Sequence, residues 1–192
     1  KFMWGYRDGW RQQIEWHEIC TGDEVVMVKT KNFSEVDLAV FGGTPAGIAA
    51  AVRGARQGLD VVLISPYEHI GGMFTNGLGV MDRLYTGRRA PIFDEIVEGI
   101  IDYYRQTYGA NSQQLKDCVD IRLTYEPHVA ELVLNKLVDN TQNLAVLKPY
   151  FPTSVKSSGN KINKVQIQSR TGTVTTHAIK AESFIYIVRA HV

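Results

Sequence analysis

Six consecutive residues, Gly42-Gly43-Thr44-Pro45-Ala46-Gly47, carry the clearest chemical pattern in the chain. An apolar run, Asp37 to Phe41, precedes them, and a small-residue run, Ile48 to Ala51, follows. A buried strand, a glycine turn and an abruptly starting helix together present backbone N–H groups to an anion. Gly42 and Gly43 supply the tight turn. Pro45 fits the first helical turn, where its missing N–H costs nothing. Gly47 lets the new helix approach the sheet. The free N–H groups between Thr44 and Gly47, aided by the helix dipole, suit the pyrophosphate of a dinucleotide. Thr44 stands where the usual pattern has its second glycine. Its hydroxyl can donate to phosphate or cap the helix.

The elements around this loop follow from periodicity. A helix over about 45–57 ends near Gly58, with Ala46, Ala50, Ala51 and Gly54 on a narrow face. Leu59 to Ile64 forms a second strand whose continuous apolar character suits a parallel sheet covered on both sides. A dinucleotide site usually ends this strand with Asp or Glu, to hold a ribose. Ser65 occupies that position. It is either a weaker, uncharged ribose contact or a turn residue ahead of Pro66.

A second glycine patch, His69-Ile70-Gly71-Gly72-Met73-Phe74-Thr75-Asn76-Gly77-Leu78-Gly79, has too many glycines for a helix. It makes a loop whose backbone can lie against a ligand. With the late Tyr125-Glu126-Pro127-His128, these motifs resemble the FAD-dependent oxidoreductases of glutathione-reductase-like fold. More narrowly, they are similar to a bacterial group with G-G-T-P-A-G-I-A-A-A, H-L-G-G-M and Y/F-E-P-H signatures, some of whose members are labelled xanthan lyase. The resemblance covers about residues 36–188.

The resemblance implies FAD as cofactor. Gly42, Gly43, Thr44, Pro45, Ala46 and Gly47 fall on the pyrophosphate loop, and Ser65 on the ribose position. Gly71, Gly72 and Met73 fall on the stretch running toward the flavin. Pro152 or Thr153 would offer backbone groups near the adenine, Pro152 only its carbonyl. His128 would open a helix or touch FAD. The implied fold is α/β, Rossmann-like, with a parallel sheet and an antiparallel β-meander crossover, and incomplete. Residues 1–35 form an N-terminal extension, and 36–192 a partial FAD-binding domain with inserted helices at about 80–125 and a meander at about 154–180.

In the middle, Pro91 opens a helix over about 92–107, residues 110–118 are a polar linker, and Leu144 to Leu147 is a third parallel strand. Strands at 154–158, 162–169 and 173–180 make the meander, and Glu182 to Val188 rejoins the sheet. Asp82 to Arg89 either meets substrate or faces solvent. Trp4, Trp10 and Trp16 pack in a core, cover an apolar patch or contact a second copy.

Composition limits the alternatives. Twenty-one basic and 20 acidic residues give a net charge of +1, which offers no steering toward nucleic acid or membranes. Cys20 and Cys118 form no C-x-x-C pair, and the five histidines have no metal-ligand spacing. No basic segment with an apolar core marks a secretory signal, so the cytoplasm is the default compartment. No side chain stands out as a catalytic acid or base. The substrate is therefore undefined, and a homo-oligomer or a companion segment stays open. Three functions compete: an FAD-binding oxidoreductase module, a non-catalytic partner-binding fragment with a vestigial nucleotide site, and an NAD(P)-binding domain.

Overall fold

The computed structural model describes residues 14–21, 24–31, 35–82, 85, 87–120, 122–171 and 175–187, with the backbone alone for 14–31. Strands β1 (Ile14–Thr21) and β2 (Glu24–Lys31) pair antiparallel in a two-stranded sheet of their own. The sequence signals only the second, through Val25 to Val28. Trp4 and Trp10 lie outside the described residues.

The main sheet begins with β3 (Glu35–Phe41), passes through helix α1 (Pro45–Arg56) and returns as β4 (Val61–Ile64). A two-residue strand β5 (Val80–Met81) follows, then helices α2 (Pro91–Tyr108) and α3 (Gln113–Cys118). Strand β6 (Leu123–Thr124) pairs antiparallel with β5. Helix α4 (Pro127–Asp139) leads to β7 (Leu144–Leu147), β8 (Tyr150–Ser158), β9 (Lys161–Ser169) and β10 (Thr176–Tyr186). The six strands lie in the order β7-β4-β3-β10-β9-β8. The first four are mutually parallel, and β8, β9 and β10 form the antiparallel meander.

Alternation along β3 divides the core. Leu38 and Val40 face one way, with Val61, Leu63, Ile48, Val52, Ile100 and Leu134, beneath α1, α2 and α4. Ala39 and Phe41 face the other way, with Val62, Ile64, Val165, Ile167 and Ile179. The meander thus covers the sheet face opposite α1. Both faces of β4 are closed, which is why all four of its residues are apolar and buried.

Three elements differ from the sequence reading. The polar stretch before Cys118 contains α3, because Ser112 Oγ accepts the Leu115 N–H at 3.2 Å and Leu115 and Cys118 bury one face. The meander's first strand starts at Tyr150 and runs through Pro152. A proline is tolerated there because β8 is an edge strand. The expected third meander strand and the returning strand are one strand. Residues 176–179 of β10 pair antiparallel with β9, and residues from Lys180 to Tyr186 pair parallel with β3. Val188 lies outside the described residues.

Across the helix layer, Arg56 at the end of α1 donates two hydrogen bonds to Glu95 of α2, at 2.7 and 2.8 Å. These bonds hold the Glu95 carboxyl below its ordinary range. The stabilisation is present above the unfolded carboxyl pKa, near about 4.3, and is lost as pH falls through the lower folded value. Both side chains are about 40% exposed, so water screens most of it. Glu95→Gln should therefore cost under about 1 kcal/mol at pH 7 in a urea melt. The difference from the parent should shrink as pH falls through the lowered folded pKa of Glu95.

Candidate cofactor site

The glycine turn forms where β3 meets α1. Gly42 takes φ of +117°, a conformation that a side chain rarely adopts. Its N–H bonds the Ile64 carbonyl at 2.9 Å, which ties the turn to β4. Thr44 is the N-cap of α1. Its Oγ1 accepts the Gly47 N–H at 3.3 Å, leaving the hydroxyl proton to donate elsewhere. Pro45 occupies the first helical turn, as its type suggests. Among the described residues, the N–H groups of Gly43, Thr44 and Ala46 have no protein partner. Gly47 sits against the turn so closely that a Cβ would lie 1.9 Å from the Gly42 carbonyl oxygen.

The second glycine patch docks onto the first. Gly71 takes φ of +104°, and its N–H donates to the Gly43 carbonyl at 2.6 Å. Gly72 begins a short 3-10 turn, Gly72–Phe74, with its Cα face beside Thr44 and Pro45. Thr75 closes this loop by donating to the Ile70 carbonyl at 2.7 Å. His69 Nδ1 donates to Glu131 of α4 at 2.7 Å, anchoring the loop's other end.

Between these loops and the strand ends lies a cleft of about 250 Å³. Gly42, Gly43, Thr44, Ser65, Gly72 and Pro152 line it, together with Phe41, Pro66, Tyr67, Tyr150, Tyr186 and Asn76. Pro45, Ala46, Gly47 and Gly71 are not among its lining residues. Met73 is 66% exposed and outside the cleft. Ser65 is buried. Its hydroxyl donates to the Tyr67 carbonyl at 3.1 Å and accepts the Tyr67 N–H at 3.3 Å.

Other singled-out residues lie elsewhere. His128 is near the start of α4, its ring edge-on to Tyr103 with centroids 6.4 Å apart. Asp82 pairs with Arg122 at 3.1 Å, and Arg89 with Asp94 at 2.9 Å. Arg83, Leu84 and Thr86 of that segment lie outside the described residues. Tyr125 is buried with no partner for its hydroxyl among the described residues, and burial raises its pKa. The aromatic walls Tyr67, Tyr150 and Tyr186 carried no local signal, since three separate strand ends bring them together.

The sequence model of the FAD dependent oxidoreductase family matches residues 37–185, from within β3 to the penultimate residue of β10. The chain belongs to this family. FAD is the cofactor that goes with it. Solved structures agree on the fold. Glycerol-3-phosphate dehydrogenase from Bacillus halodurans, complexed with FAD, superposes with a TM-score of 0.54 at 16% identity, over 81% of this chain and 34% of that one. L-amino acid deaminase from Proteus vulgaris gives 0.52 at 13% identity, over 80% and 47%. THI4 from Thermovibrio ammonificans gives 0.51 at 17% identity, over 79% and 57%. The flavoprotein-type domain described here thus spans between a third and somewhat over half of these relatives. No curated protein matches the chain. Among the described residues, no helix is long and apolar enough to cross a membrane.

Proposed function

We propose that this domain holds FAD across the cleft, with the pyrophosphate on the N–H groups of Gly43, Thr44 and Ala46 at the start of α1. The observation that carries this reading is that these donors lack protein partners while Gly71 and Gly43 clamp a second glycine loop beside them. The Thr44 hydroxyl adds a donor where a second glycine would add only space. Pro45 and Gly47 keep the helix end close. Ser65 marks the ribose end, and Pro152, on β8, lines the adenine end. Gly71, Gly72 and the backbone at Met73 lead toward the flavin. The groups fit: a pyrophosphate needs donors and close backbone approach, and a base needs apolar, aromatic walls.

Bound flavin would supply hydride-accepting chemistry. The chain's own residues would bind and orient it. The same reading places the protein in the glutathione-reductase-like branch, near the bacterial group with the Y/F-E-P-H signature, whose counterpart here, Tyr125 to His128, runs from the loop after β6 into the first residues of α4. Its substrate is a small molecule of unassigned class.

Titrating the purified protein with FAD tests the reading. Saturable binding with a shifted flavin absorption band is expected, together with binding of NAD at least about tenfold weaker, a gap of about 1.4 kcal/mol. A protein that binds NAD more tightly than FAD, or neither, would overturn it.

A further inference from the structure

The adenosine end of the cleft lacks the carboxylate that ordinarily grips a ribose, and its substitute is already engaged. Ser65 gives its one proton to the Tyr67 carbonyl and takes the Tyr67 N–H in return. A serine spent in this way closes a tight turn over Pro66 and fixes the backbone of Tyr67. Tyr67 itself is 43% exposed and lines the cleft. Its ring is braced from elsewhere in the fold. The Arg170 guanidinium sits 5.1 Å from the ring centroid, and Arg170 Nη1 lies 3.5 Å from the Pro66 carbonyl. The Arg170 N–H bonds the Pro149 carbonyl at 2.8 Å, and the Tyr150 N–H bonds the Ser65 carbonyl at 2.8 Å. The end of β4, the start of β8 and the end of β9 are thus knitted around one aromatic ring.

We infer that the adenosine half of the cofactor is recognised by stacking on Tyr67, braced by Arg170, in place of a charged ribose contact, with Ser65 acting as a positioning residue for that ring. This rests on the FAD reading and specifies how it is achieved. A purine has a flat π-face whatever its ribose contacts, and stacking on an aromatic side chain is a substantial share of nucleotide affinity. A cation on the ring adds to the platform's rigidity and polarisation. Grip by stacking also predicts indifference to the ribose 2′-hydroxyl, which a carboxylate site would read.

The test uses ADP, 2′-deoxy-ADP and FAD as probes against the purified protein and three variants, with far-UV circular dichroism confirming the fold. Tyr67→Ala should weaken ADP and FAD binding by about tenfold or more, the range seen when stacking side chains are truncated. Tyr67→Phe should stay within about twofold of the parent, because the ring and not the hydroxyl stacks. Ser65→Ala should weaken ADP and 2′-deoxy-ADP by equal factors. That result marks positioning, because a direct contact to the ribose 2′-hydroxyl would be lost only with ADP. Parent protein that binds FAD while Tyr67→Ala binds ADP unchanged would overturn the inference and leave the FAD reading standing. A Ser65→Ala loss confined to ADP would also overturn it and return Ser65 to the ribose. Parent protein that binds neither FAD nor ADP would overturn both.

Discussion

Gly47→Val is expected to abolish FAD binding. A Cβ at this position would lie 1.9 Å from the Gly42 carbonyl oxygen, well inside the sum of their radii. The obstacle is backbone, so no side chain can rotate away. Relief requires α1 to move outward from β3, and Gly43, Thr44 and Ala46 move with it. Overpacking of this kind costs about 3 kcal/mol at the upper end of its usual range, equivalent to over a hundredfold in affinity if it falls on the bound state. Flavin fluorescence titration measures it. A variant that folds and binds FAD like the parent would show that α1 does not carry the pyrophosphate.

Gly71→Ala should produce the second large effect, on stability as well as binding. Gly71 combines φ of +104° with crowding: a Cβ would lie 2.4 Å from Thr75 Cγ2 and 2.6 Å from Leu134 Cδ1. Thr75 is held by its bond to the Ile70 carbonyl, and Leu134 is fully buried, so neither yields easily. Backbone strain of about 1–3 kcal/mol adds to overpacking of about 1–3 kcal/mol. Against a typical stability of about 5–15 kcal/mol, that is a large fraction. The urea midpoint should fall clearly, and FAD affinity should fall with it because the Gly71–Gly43 clamp opens. An unchanged midpoint would mean that the second glycine loop does not dock on the first.

The sequence made the glycine loops legible because their demands are local. A left-handed turn at Gly42, a capping hydroxyl at Thr44 and a proline at the first helical turn each announce themselves by residue type. The order of α1, β4 and β7 followed from apolar runs of the right length. The meander followed from the turn at Ser158 to Lys161. What stayed hidden was non-local. Nothing in Ala178, Ala181, Glu182 and Ser183 shows that one strand changes partners midway. Six residues capped by Ser112 are too few for periodicity to show, with only Leu115 and Cys118 as signal. Ser65 was visible as a departure from the usual acid. Its bond to Tyr67, and the placement of Tyr67, Tyr150 and Tyr186 around one cleft, depend on strand order, which no spacing reveals.

The long tenth strand also sets a timetable. Its second half is the parallel neighbour of β3, yet the two are about 145 residues apart in the chain. A ribosome adding about 5–20 residues per second leaves β3 without that neighbour for roughly 7–30 s. Throughout that interval the apolar face of β3, with Ala39 and Phe41, lacks both its lateral partner and the covering meander. Tyr186 and Ile187 arrive last among the residues that wall the cleft. The nascent chain therefore passes through a state in which the glycine motif has been made but its pocket has no far wall. Cofactor capture in this cleft, as proposed, waits for β10, and a sticky half-sheet is what chaperones would meet before it.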